Sequence, residues 1–167
     1  MSGKVWSMTL MLLCVPLVQA QDSLTRPVSA PVPAPIVSAK RVFVANGGTD
    51  AMSLTAFKKD GDSNAPYNWF YSALKSWGRY ELVSTPSEAD LVMEVRFDAP
   101  LKDCGKITLY TPQLTINIID AKTHFLLWSV TEETQGAVRK STWEKNFNET
   151  VATVINDLKQ IAGAGTP

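Results

Sequence analysis

Hydrophobic positions recur along this chain with three spacings, and each predicts a different kind of segment. Val5 to Val18 is an uncharged run of fourteen residues dominated by Leu10, Met11, Leu12, Leu13, Val15 and Leu17. Lys4 precedes it, and Val18-Gln19-Ala20 places small or moderate side chains at the −3 and −1 positions of a cleavage site. A bilayer-spanning helix needs roughly 20 residues, so the run is short for an anchor. The pattern predicts a secretory signal peptide over residues 1–20, cut after Ala20. Residues 21–39 then lose the apolar run. Pro27, Pro31, Pro33 and Pro35 alternate with Val, Ala and Ser, which favours extended polyproline II and opposes a helix. They predict a linker ahead of one folded domain over residues 40–163, with a tail at 164–167.

Inside the domain the spacings alternate between strand and helix. Arg41-Val42-Phe43-Val44-Ala45 reads as a strand, broken by Asn46-Gly47-Gly48-Thr49-Asp50. Residues 51–63 hold apolar positions without a clear period, and Lys58-Lys59-Asp60-Gly61-Asp62 is loop chemistry. A helix follows: Asn64 can cap it and Pro66 suits its first turn. Tyr67, Phe70, Tyr71, Leu74 and Trp77 fall on one face of it, and Gly78 suits a left-handed end. Tyr80 to Val83 is a short strand, and Thr85 to Glu88 a turn. Leu91, Met93, Val95 and Phe97 alternate with polar or mixed partners, as in a half-buried strand. Ala99 to Gly105 is a loop. Ile107 to Ile119 predicts one long strand, or one interrupted at Pro112, with Leu114, Ile116 and Ile118 on one face. Asp120 to Thr123 is a tight connection to a strand over His124 to Thr131, with Leu126, Trp128 and Val130 on one face. The short link makes these two strands a hairpin. Finally Trp143, Phe147, Val151, Val154, Leu158 and Ile161 advance by three or four residues, an apolar helical stripe about five turns long. The order β-α-β-β-β-β-α predicts an α+β two-layer sandwich. Its sheet is mostly antiparallel, with about five strands, and two helices pack on one face.

Charge narrows the partners. Cleavage removes Lys4 and no acid, which leaves the mature chain one acid in excess. A chain so near neutrality has no electrostatic reason to bind nucleic acid or an anionic membrane. Of the two cysteines only Cys104 follows the cleavage site, so no internal disulfide is expected in the mature chain. Cys14 is a poor site for lipid attachment, because Leu13 precedes it and Val15-Pro16-Leu17-Val18 continues the apolar run.

The residues that carry chemistry are sparse. His124 is the single histidine, and Cys104 lies twenty residues away without ligand spacing, so no metal site is expected. A nucleophile turn G-x-S-x-G is absent. Candidate carboxylates are Glu88 with Asp90, Glu94 with Asp98, Asp120, and Glu132 with Glu133. Glu94 and Asp98 share a strand face with Arg96, which reads as a solvated row. Asn46-Gly47-Gly48 lacks the spacing of a phosphate loop. Trp69 lies off the apolar face of its helix, where an aromatic could contact sugar or protein, although a broad aromatic face packed on the sheet is the favoured reading. Asn148-Glu149-Thr150 matches a glycosylation acceptor but falls inside the last helix. No catalytic, cofactor-binding or metal residue is predicted, and Ala20 is the one processing site.

The strings ADLVMEV (Ala89 to Val95) and LTINIIDAKTHFLLWS (Leu114 to Ser129) resemble a motif of small exported bacterial envelope proteins. In these an Ala-Asp pair opens a strand, and a hairpin with Asp-x-x-Thr at its turn leads into a Leu-Trp strand. More loosely the chain is similar to the α/β domain of the curli-secretion lipoprotein CsgG and to the N-terminal domain of TolB, over roughly residues 40–162. The resemblance implies an envelope assembly or interaction role without enzymatic activity. The chain lacks a convincing lipobox, membrane-spanning hairpins and a propeller, so pore and propeller functions do not transfer. The expected function is a non-enzymatic periplasmic or secreted domain that contacts another envelope protein through the uncovered sheet face or a sheet edge. Two alternatives stand beside it. One is a small-ligand domain with a pocket between sheet and aromatic helix. The other is a hydrolase with a cleft near Asn46 to Asp50 and the loop 99–105.

Overall fold

The alternation at Leu91, Met93, Val95 and Phe97 becomes the central strand of a five-stranded sheet. The computed structural model describes residues 30–50, 62–103, 105 and 108–163. The expected signal peptide with Cys14 and Ala20, the start of the linker, Cys104, most of residues 51–63 and the tail lie outside the described residues.

The elements follow in chain order: α1 (Ala34–Ser38), β1 (Arg41–Thr49), α2 (Ala65–Trp77), β2 (Glu81–Val83) and a 3-10 turn (Pro86–Glu88). Then come β3 (Leu91–Asp98), β4 (Leu101–Asp103), β5 (Thr108–Tyr110), β6 (Gln113–Asp120), β7 (Leu126–Glu133) and α3 (Lys140–Gly163). The main sheet runs β2-β1-β3-β6-β7, and β4 with β5 forms a separate two-stranded ribbon. The α+β two-layer class holds. The pairing within it is more even than a mostly antiparallel sheet: β1 is parallel to β2 and β3, while β3–β6 and β6–β7 are antiparallel. Helix α2 carries the chain from β1 to β2. Because β2 has only three residues, the short link through the 3-10 turn returns to the starting level and enters β3 on the far side of β1.

Period-two alternation decides which side of the sheet is covered. Val42, Val44, Leu91, Met93, Val95, Phe97, Leu114, Ile116 and Ile118 are buried against the helices. Phe70 and Leu74 of α2 and Phe147, Val154 and Leu158 of α3 fill the other half of that layer. Phe97 meets Phe147 edge-on at 5.3 Å, and Trp69 packs on Phe147 at 5.1 Å. Gly78 ends α2 at φ 71, and its N–H bonds the Leu74 carbonyl. Asn64 stands at the N-cap but makes no capping hydrogen bond with its side chain.

Four expectations need correction. The Pro-rich stretch is not extended throughout, since Ala34–Ser38 form a helical turn with Ile36 1% exposed in the core. Pro35 sits within the first turn, where a missing N–H is not felt. The folded part therefore starts ahead of Lys40. Second, the loop 99–105 contains β4; of the two readings beyond it, the interruption at Pro112 is the one observed, dividing β5 from β6. Third, His124 lies in the turn at φ 61 and does not open the strand. Fourth, Leu126 does not share a face with Trp128 and Val130. The β6–β7 register jumps from Ile118↔Trp128 to Ile119↔Leu126, so Leu127 is an extra residue in a bulge. The bulge lets Leu127 and Trp128 both pack on the core and turns Leu126 to the opposite face.

Candidate functional site

The face of the sheet away from the helices carries a cross-strand row of five apolar side chains. Val83, Phe43, Val92, Ile119 and Leu126 follow one another from edge to edge in direct register. Directly opposed residues point to the same side of a sheet, so the row is continuous and about 19 Å long by strand spacing. The first four are half-buried against one another, and Leu126 at the edge is 59% exposed. Its chain neighbour Phe125 is 72% exposed. The bulge at Leu127 completes this row, because without it Leu126 would point into the core layer.

The next rows are polar. Asn117 donates to Glu94 at 2.9 Å and accepts from Ser129 at 2.9 Å. Thr115 and Thr131 pair at 3.0 Å in the row beyond. Glu94 and Asp98 lie on the face away from the helices but are half-buried there: Glu94 is engaged by Asn117, and the Asp98 Oδ1 atom is buried, so the row is less solvated than expected.

Two of the other candidate acids, Asp90 and Asp120, are engaged in holding the backbone. Asp90 accepts the N–H groups of Lys40 and Arg41 at 3.0 and 2.9 Å, and these bonds hold its carboxyl below the usual range. Asp120 accepts the N–H groups of Thr123 and Lys122 and the Thr123 hydroxyl, which lowers it likewise. Both line a surface hollow of about 480 Å³ beside α1, with Lys40 and Lys122. The proposed hydrolase cleft has the same character. Asp50 accepts the Ala99 N–H at 2.8 Å, so the two loops do meet, but through a bond that fixes the chain. Asn46 accepts the Gly48 N–H and donates to Asn64. The space between sheet and aromatic helix, offered as a ligand pocket, is filled by Phe70 and Leu74, each 0% exposed. The Thr150 hydroxyl of the glycosylation triplet donates to the Asn146 carbonyl within α3.

One acidic pair escapes a reading by neighbours. Glu132 and Glu133 point to opposite faces of β7, and Glu133 bonds Lys102 at 2.7 Å. Glu132 is opposite Leu114 on the helix side, where it lines one groove with Asp157 of α3. Burial first, then the charge of Asp157, pushes the Glu132 carboxyl up. The signal was present: Glu132 continues the parity of Trp128 and Val130, and Asp157 adjoins the stripe position Leu158. Ending the strand at Thr131 hid it. Among the described residues no group of three or more His, Cys, Asp and Glu side chains is placed to hold a metal. No described helix is long and apolar enough to cross a membrane.

No family model matches the chain. No curated protein matches it. Solved structures similar to it include the PelC dodecamer from Paraburkholderia phytofirmans, at 17% identity and a TM-score of 0.46 over 78% of this chain and 92% of that one. Protein XCC0632 from Xanthomonas campestris is similar at 11% identity and a TM-score of 0.47 over 77% of this chain and 86% of that one. Lipoprotein GNA1162 from Neisseria meningitidis is similar at 11% identity and a TM-score of 0.39 over 70% of this chain and 99% of that one.

Proposed function

We propose that this chain is a non-enzymatic interaction module, exported to the bacterial envelope, whose uncovered sheet face contacts another envelope protein. The observation that carries the reading is the apolar row from Val83 to Leu126 on a face that no described helix covers. A soluble antiparallel or mixed sheet with one open face ordinarily lays polar side chains on it. Here one row departs from that rule across every strand, while the adjacent rows obey it. Asp50, Asp90 and Asp120 bond backbone groups, which supports a binding role over hydrolysis for these three.

Site-specific photocrosslinking in the intact envelope tests this. A photoreactive side chain replaces Leu126, on the row, or Lys159, an exposed position of α3. The reading expects a discrete protein adduct from position 126 that is missing from position 159. Equal adducts at both positions, or none at 126, would overturn it.

A further inference from the structure

A second surface lies at the β7 edge of the sheet, apart from the apolar row. Among the described residues strand β7 has β6 as its one strand neighbour, and at eight residues it is far longer than β2, the opposite edge. A groove of about 310 Å³ follows this edge. Five consecutive residues of β7, Trp128 to Glu132, line it on one side, and Asp157, Gln160 and Ile161 of α3 line it on the other. A groove between an edge strand and a helix is the geometry that adds an extended peptide as one more strand.

We propose that the groove between β7 and α3 takes an extended segment of a partner protein as an added strand, with a basic side chain of that segment seated between Glu132 and Asp157. Two carboxyl groups face each other there, and no ion pair among the described residues includes either of them. A cation between them would relieve their repulsion and give each a charge-assisted hydrogen bond. The indole of Trp128 offers an apolar wall for a lysine stem or a guanidinium plane. A second copy paired antiparallel about Glu132 is disfavoured by the same chemistry, because that register would set a second Glu132 and Asp157 against the first.

Fluorescence anisotropy on the exported protein tests the inference with three labelled nonapeptides. The first alternates Thr and Val around a central Lys, the second has Glu at the centre, and the third is the Lys peptide with alternate backbone nitrogens methylated. The Lys peptide should saturate, the Glu peptide should bind about tenfold or more weakly, and methylation should abolish binding. Glu132→Gln should weaken the Lys peptide about tenfold and erase the preference over Glu. The inference is overturned if the Lys peptide fails to saturate below about 1 mM, or if Lys and Glu peptides bind alike to the unmodified protein. Retained binding of the methylated peptide would overturn strand addition. Loss of binding here leaves the Leu126 crosslink unaffected, since the two surfaces are separate.

Discussion

His124 holds φ 61 in the turn between β6 and β7, a region that side chains with a Cβ enter at a cost of roughly 1–2 kcal/mol. Its N–H bonds the Asp120 carbonyl at 2.9 Å, so the turn fixes that conformation. His124→Gly should therefore stabilise the protein by about 0.5–1 kcal/mol, net of the added freedom of the unfolded chain. Thermal denaturation would show it as a rise of about 2–4 °C. Gly78 supplies the opposite case. It has φ 71 and no atom within 4 Å of an added Cβ, so Gly78→Ala meets only the backbone penalty. A loss of about 1 kcal/mol is expected, and Gly78→Asn should lose less. Gly78 was legible from the sequence because a glycine just past an apolar helical stripe has a known use. His124 was not, because a lone histidine gives no sign of the dihedral its turn demands.

Among elements, helices and inner strands follow directly from apolar spacing, and the departures arise where one residue changes the parity or a proline is placed favourably. The stripe from Trp143 to Leu158 lies in α3 with its main members buried, and the Leu91 to Phe97 alternation survives intact in β3. The bulge at Leu127 could not be read, since period two has no memory of an inserted residue. Nor could α1, whose Pro35 looks like a helix breaker but occupies the first turn. The short α1 is joined to the rest through Arg79. Its guanidinium donates to the Val37 carbonyl at 2.9 Å and to the Ala162 carbonyl at 3.3 Å, linking the C-terminal ends of α1 and α3. A cation suits both ends. Arg79→Met keeps most of the stem and removes these bonds together with the guanidinium's contact over the Tyr80 ring, 5.3 Å from its centroid. A loss of about 1 kcal/mol in urea denaturation is expected, with earlier amide exchange in α1 than in β3. Arg79→Lys should recover less than half of it, because one guanidinium nitrogen, Nη2, donates to both carbonyls and the shorter lysine side chain does not place its nitrogen there.

At the scale of the whole molecule, Asp90 and Asp120 favour the folded state at neutral pH and Glu132 opposes it. Asp90 and Asp120 titrate below their ordinary value of 3.8 because backbone N–H groups favour the charged form. Their contribution is fully present above the unfolded value and disappears as pH falls through the lower folded one. They join β1 to β3 and close the β6–β7 turn, so stability should drop as pH falls below about 4. Glu132 runs the other way. Its carboxyl lies above the ordinary value of 4.5, through burial and then the charge of Asp157. The folded state holds that proton more tightly than the unfolded one. The opposition is therefore absent below the unfolded value, grows as pH rises through the window between the two, and is complete above the folded value. Glu132→Gln removes the charge while keeping the shape and a hydrogen-bonding group opposite Asp157. Its melting temperature should exceed that of the unmodified protein by about 2 °C at pH 7, and the difference should vanish near pH 4. Asp90→Asn should show the reverse, with a deficit at pH 7 that closes in acid. Parallel melting curves of Glu132→Gln and the unmodified protein from pH 3 to 8 would sink the shared-carboxyl account. A closing gap would show instead that the groove between β7 and α3 is strained at neutral pH by the charge that a basic partner would neutralise.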